Sequence, residues 1–158
     1  FIREGLVMKL STKGRYGLRL MIELALHEKN ELVTLKEISK QQEISQKYLW
    51  SLIAPLQKAG LVRAKRGARG GYMLARPASK ITLRDIVVET EGPLSIVECV
   101  RTPSVCHRNA LCVARDVWAD VSAKIENALK SITLKDVVTS YKKKESAFLK
   151  ARKQKVSK

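Results

Sequence analysis

Hydrophobic positions fall into helical order a short way into the chain. From Ser11 or Thr12 to about His27, the run Tyr16, Leu18, Leu20, Met21, Ile22, Leu24, Ala25 and Leu26 leaves almost no polar face, which predicts a helix inside the fold. A short helix is predicted over about 35–42, and another from Ser45 to about Lys58, with Gly60 ending it. Pro55 falls within the latter and predicts a bend or loosened turn. Leu61–Arg66 and Tyr72–Ala75 then read as short strands joined by Gly67-Ala-Arg-Gly-Gly71, whose glycine density suits a tight hairpin, and Pro77 stops the second strand. One local signal occurs three times, as Thr34-Leu-Lys-Glu37, Thr82-Leu-Arg-Asp85 and Thr133-Leu-Lys-Asp136. In each, the threonine can cap the first turn while the acid three residues later reaches back to the threonine amide.

A short helix over 82–91 ends at Gly92-Pro93, and 92–110 reads as a loop. From about Leu111 to Ile132, apolar residues recur at three- and four-residue steps (Ala114, Val117, Val121, Ile125, Ala128, Leu129), predicting a helix of about 22 residues and roughly 33 Å. That is more than a small domain needs for its own core, so pairing with the same helix of a second subunit is expected. A last element over 134–141 precedes the remaining basic residues.

Helix, helix, turn, helix and hairpin, in that order, make a winged helix-turn-helix. The predicted fold is therefore mainly α with a small β-hairpin: a winged helix-turn-helix DNA-binding domain over 8–91, a cysteine-containing loop over 92–112, a dimerisation helix and short C-terminal helix over 111–141, and a basic, disordered tail over 142–158. Met8 is expected as the starting residue, with the preceding seven outside the fold.

Charge changes this picture from a fold into a partner. The 158 residues hold 31 Lys+Arg against 15 Asp+Glu, a formal net charge of +16, which calls for a polyanion. Residues 45–80 carry Lys47, Lys58, Arg63, Lys65, Arg66, Arg69, Arg76 and Lys80 and no acid, so the excess falls on the third helix and the hairpin. A packing role alone gives no reason to strip every acid from those two elements; double-stranded DNA does. No membrane span is apparent, and a membrane partner is not expected. An enzyme is not expected either: there are only two histidines, with no Ser/His/Asp set or paired-carboxylate site, and Gly67–Gly71 lacks the phosphate-loop pattern.

The three cysteines, Cys99, Cys106 and Cys112, stand in the loop at C-x6-C-x5-C spacing. The spacing lacks the close pairs of zinc ribbons and thioredoxin-like motifs, and an odd cysteine count argues against a closed disulfide framework. Three thiols in a Gly- and Pro-flanked loop suit an iron–sulfur cluster, which Cys thiolates hold with an occasional other ligand. A reducing, cytoplasmic setting is expected.

Lys9-Leu-Ser-Thr-Lys-Gly-Arg-Tyr16, the Ser45–Leu49 helix start, Gly70-Gly-Tyr72 and the three-cysteine loop together resemble the IscR/NsrR class of winged-helix iron–sulfur regulators, closest to the IscR type, over about Met8 to Tyr141. The resemblance implies a homodimeric transcription factor, often a repressor, that senses iron–sulfur or redox status through a cluster, two-iron (2Fe-2S) ahead of four-iron (4Fe-4S), and that depends on iron–sulfur assembly proteins. Carried over by position, Cys99, Cys106 and Cys112 would be the cluster thiolates; Lys47, Tyr48, Trp50 and Ser51 recognition-helix contacts; Arg66, Gly67, Arg69 and Gly70 the wing tip; and Lys13 and Arg15 phosphate contacts.

Two positions depart from the class. The IscR type has a histidine three residues after the last cysteine, where this chain has Arg115, and the ligands that related sensors supply from the first helix are replaced by Arg15 and Arg19. The fourth ligand therefore stays open among His107, Asp116, Glu98, an exogenous thiol and a labile site. Trp50 stands where the class carries a glutamate that discriminates at a base edge, and an indole cannot accept a hydrogen bond from cytosine. The competing reading is a regulator of the same group gated without metal, by a thiol switch or by a partner such as a cysteine-biosynthesis enzyme.

Overall fold

The computed structural model describes residues 10–27 and 31–156, with side chains through Arg152. Met8, Lys9 and the last two residues lie outside the described residues, so the expected starting residue does too. The described elements are α1 (Thr12–Leu26), α2 (Leu35–Gln42), α3 (Gln46–Lys58), β1 (Val62–Lys65), β2 (Gly71–Leu74), α4 (Leu83–Glu91), α5 (Glu98–Arg101), α6 (Val113–Ser131) and α7 (Leu134–Val156), with 3-10 turns at Ala78–Lys80, Pro103–Val105 and Asn109–Leu111.

The helix starts form as the threonine pattern predicts. Thr34 and Thr82 make reciprocal capping boxes with Glu37 and Asp85, and Thr133 exchanges the same bonds with Asp136. Ser11 and Ser45 cap α1 and α3 through their side chains. Pro55, predicted to loosen α3, leaves it unbroken from Gln46 to Lys58. The carbonyl that loses its partner belongs to Ser51, on the exposed side of the helix, where water can replace the missing N–H.

One core joins these elements. Leu20 and Met21 of α1 meet Ile38 of α2, Leu49, Leu52, Ile53 and Leu56 of α3, and Ile86 of α4, all essentially without solvent exposure. Leu134 and Val138 at the start of α7 enter the same core. There the amide of Leu134 bonds the carbonyl of Ile81, and that of Leu83 bonds the carbonyl of Ile132, each at 2.8 Å. α1 and α4 approach closely at Gly17, where a Cβ would lie 2.6 Å from Cγ2 of Thr90. Thr90 cannot easily give way, since its hydroxyl donates to the carbonyl of Ile86 at 2.9 Å.

Beyond α4 the packing thins. The loop predicted over 92–110 contains one short helix and two 3-10 turns. Ser122 is the one buried residue of α6 among the described residues. The helix is tied to α4 by Arg84, whose Nε donates to Glu126 Oε1 at 2.6 Å. The expected disordered tail is a correction: α7 does not stop near Tyr141 but continues to Val156. Every residue of 139–152 is exposed. Its helical signal was hidden because the lysines dominate composition, while Tyr141, Phe148 and Leu149 keep a helical spacing interrupted by Glu145 and Arg152.

Candidate nucleic-acid interface and cysteine loop

Burying Leu49, Leu52, Ile53 and Leu56 turns the opposite side of α3 to solvent, and that side carries Lys47, Trp50 and Ser51. Trp50 is 60% exposed, a large apolar ring on a charged face. Ser51 donates its hydroxyl to the carbonyl of Tyr48 at 2.7 Å, which leaves the oxygen lone pairs available. Tyr48 is placed differently from these three. It is half-buried, and its ring meets Tyr16 edge-on at 5.7 Å between centroids. Arg19 covers the Tyr16 ring at 5.4 Å, and its guanidinium donates to both the side chain and the backbone carbonyl of Gln42.

That arginine braces the turn that orients α3. The turn passes through Glu43 in the left-handed region (φ 54°), where its amide bonds the carbonyl of Ser39, and Ile44 is buried as the chain enters the Ser45 cap. Lys13 and Arg15 are exposed at the start of α1, where the Ser11 side chain accepts from the Lys13 amide at 3.0 Å.

The hairpin pairs Val62 with Leu74, Arg63 with Met73, Ala64 with Tyr72 and Lys65 with Gly71. Val33, just before α2, bridges to Tyr72 through two backbone hydrogen bonds (2.9 and 2.8 Å) and anchors the wing to the helices. At the tip Gly70 donates to the carbonyl of Gly67 at 2.9 Å. A Cβ on Gly70 would lie 2.4 Å from the Lys65 carbonyl, so a side chain there would force the tip to open. Arg66, Gly67 and Arg69 are exposed at that tip. The structure thus brings the predicted contacts onto exposed positions of three adjoining elements, except that Gly70 is half-buried in the tip and Tyr48 is turned partly into their support.

The cysteine loop is built loosely. Cys99 lies in α5, Cys106 follows the Pro103–Val105 turn, and Cys112 is the N-cap residue of α6 without a capping side-chain bond. All three are half-buried free thiols. Cys106, His107 and Cys112 line one open depression of about 640 Å³, and Cys99 is not part of that lining. Arg115, at the position of the missing histidine, is engaged structurally: its Nε donates to the Cys99 carbonyl at 3.3 Å and its Nη1 to Asp116 at 3.4 Å. Glu98, another candidate ligand, pairs with Arg101 at 2.5 Å.

Between Cys106 and Cys112, the amide oxygen of Asn109 is buried without a hydrogen-bond partner, a cost of about 1–3 kcal/mol. Among the described residues, no three Cys, His, Asp or Glu side chains converge closely enough to hold a metal ion. The donor set therefore fits an iron–sulfur cluster in kind, three soft thiols with a neighbouring imidazole, but not in present position. Holding one would require the three thiols to converge.

Helices, braced turn and hairpin define a winged helix-turn-helix protein of the transcription-regulator class. Residues 10–140 match the Rrf2 family, described as iron-dependent transcriptional regulator, and the chain belongs to that family. It is similar to the HTH-type transcriptional regulator IscR of Cereibacter sphaeroides, 41% identical over 135 residues, covering 83% of this chain and 87% of that protein. Among solved structures it is similar to CymR, the global cysteine regulator of B. subtilis (TM-score 0.70, 38% identity, 85% of this chain and 98% of that one). It is also similar to T. potens IscR (TM-score 0.67, 41% identity, 84% and 88%). Among the described residues no helix is long and apolar enough to cross a membrane.

Proposed function

We propose that this protein is a homodimeric transcriptional regulator, a repressor by default, that grips operator DNA in the cytoplasm with α3 and the wing and changes that grip through the Cys99–Cys112 loop. The observation that carries the DNA reading is the exposure of Lys47, Trp50, Ser51, Arg66 and Arg69 within residues 45–80, a stretch that contains no acid. Lys13 and Arg15 extend it towards flanking phosphates. Base edges would be read by α3, and the wing arginines would enter the adjacent backbone or minor groove. Dimerisation is supported by Val113, Val117 and Trp118, which are 74, 54 and 43% exposed along α6. Pairing there would set two recognition helices on a two-fold-symmetric site.

For the signal, Cys99, Cys106 and Cys112 would hold an iron–sulfur cluster, 2Fe-2S ahead of 4Fe-4S, delivered by iron–sulfur assembly proteins. His107 is the candidate fourth ligand because it shares the depression with two of the thiols. Such a cluster supplies a metal- and redox-sensitive cross-link between segments. The loop joins the DNA head to α6, so ordering it need favour one head arrangement by only about 1–3 kcal/mol to regulate binding. A second reading has a specific observation behind it. Cys106 and Cys112 share a depression from which Cys99 is absent, which suits a dithiol that oxidises to a disulfide without metal.

Anaerobic purification with iron and sulfide separates the two. A brown protein whose operator affinity changes on loading, and whose colour is lost in Cys99→Ala, supports the cluster. A colourless protein that keeps a peroxide response in Cys99→Ala and loses it in Cys106→Ala supports the thiol pair. Arg66→Ala should weaken DNA binding by about 1–3 kcal/mol with the fold intact. No affinity for duplex DNA in any state would overturn the proposal.

A further inference from the structure

The match to the family ends at residue 140, yet α7 continues to Val156. The continuation is not a featureless charge run. Lys142, Lys143 and Lys150 lie along one side of the helix with Thr139, Ser146 and Ala147 between them, forming the sides and floor of a shallow trough of about 510 Å³. All six residues are exposed. Small floor residues let a rod-like partner approach the helix while the flanking lysines reach around it. Glu145, the one acid after Asp136, lies on the other side of α7 with Tyr141, and Asp136 is occupied in capping Thr133.

The place where the helix leaves the core fits the charge. Val138 is the last buried position of α7. Tyr141, one turn later, comes near Glu23 of α1, whose negative charge, after burial and Glu145, helps push the phenol up. Glu23 in turn accepts from Gln42 Nε2 at 2.6 Å, and Gln42 is the last residue of α2 before the turn into α3. The cationic continuation therefore leaves the domain beside the turn that positions the recognition helix.

We infer that the α7 continuation is a further nucleic-acid contact, in which Lys142, Lys143 and Lys150 clasp the phosphate backbone of duplex DNA flanking the site read by α3 and the wing. This rests on the DNA-binding reading above and extends it to a surface that reads no bases. Duplex phosphates are the occupant that the charge selects: three lysines line the trough without an acid among them. An anionic membrane would call for a continuous apolar face opposite the lysines, and Glu145 and Arg152 interrupt that face.

The test needs no knowledge of the operator, because phosphate contacts are independent of sequence. Binding of the full chain to a mixed-sequence duplex of about 60 base pairs is followed by fluorescence anisotropy between about 50 and 200 mM salt. For the triple variant Lys142→Gln, Lys143→Gln, Lys150→Gln, the slope of log affinity against log salt should fall by about 2.7, roughly 0.9 per contact, with affinity near 100 mM reduced at least about tenfold. Lys150→Gln alone should lower the slope by about 0.9, and Lys144→Gln, outside the trough, should leave it unchanged.

An unchanged slope in the triple variant, with DNA binding intact and still sensitive to Arg66→Ala, overturns this inference and leaves the DNA-binding reading standing. Absence of DNA binding by the unmodified chain overturns both. Vesicles containing anionic phospholipid form a second arm: lysine-dependent binding to them, with an unchanged DNA slope, assigns the surface to membranes and overturns the inference.

Discussion

The two halves of this chain spend their hydrophobic residues in opposite ways. In the head, α1 to α4 and the hairpin, Leu20, Leu49, Leu52, Leu56 and Ile86 disappear from solvent. In the region after Gly92, Leu111 is 92% and Val113 74% exposed. The head, its core completed by Leu134 and Val138 of α7, covers its apolar residues within one chain, while the loop after Gly92 and α6 leave theirs at the surface. On the proposed function, a fixed reading surface and an adjustable coupling region would need different stabilities, and native structures draw their moving parts from the weakly packed end.

Core truncation should produce the largest contrast between them. Leu49→Ala should cost about 2–5 kcal/mol of unfolding free energy in urea titrations, whereas Val117→Ala should cost less than about 1 kcal/mol in dilute, monomeric protein. Equal costs at low concentration would break the comparison. A rising cost of Val117→Ala with protein concentration would sharpen it, since mass action ties an interface to assembly.

Next come the capping boxes, one kind of device set in two settings. Thr34→Ala and Thr133→Ala should each cost about 0.5–2 kcal/mol of local helix stability. Loss at Thr34 should lower the main melting transition, while loss at Thr133 should lower it through Leu134 and Val138 and also speed amide exchange along the exposed part of α7.

The smallest effect concerns pH. Arg84 and then Lys130, by hydrogen bonding, hold the Glu126 carboxyl below its ordinary value of 4.5. A lowered folded-state pKa stabilises above the unfolded value and loses that contribution as pH falls through the folded one. Acid titration should therefore loosen α6 from α4 below about pH 4.5, before the head unfolds. The chain has a tryptophan in each region, so a Trp50→Phe variant leaves Trp118 as the reporter on α6. Coincident transitions of Trp118 fluorescence and head unfolding would refute separate behaviour.

Sequence reasoning succeeded where a few residues act on their neighbours. Thr34, Thr82 and Thr133 predicted helix starts because a cap and its returning acid lie within one turn. Gly67–Gly71 predicted the wing because a tight turn restricts its residue types. It failed where the deciding interaction was distant or the competing signals were strong. Lysine content around Tyr141–Val156 masked the helical spacing of Tyr141, Phe148 and Leu149, and the short turns between Cys99 and Cys112 have no period to detect. Among the candidate site residues, Lys47, Trp50 and Ser51 came from the family resemblance, and the structure exposes them because Leu49 and Leu52 are buried on the opposite face. The edge-on packing of Tyr48 against Tyr16 depended on how α1 crosses α3, which no local pattern encodes.

The closeness of α1 and α4 at Gly17 limits how information can travel through the molecule. With Thr90 pinned by its own hydroxyl and no room for even a methyl group between the helices, the joint cannot hinge. Strain arriving from beyond Gly92 would then pass through the head undiminished, as a push on one end of a solid block moves the other. The molecule would respond to its signal by changing posture, with each reading surface arriving at the double helix in the same shape but at a different angle.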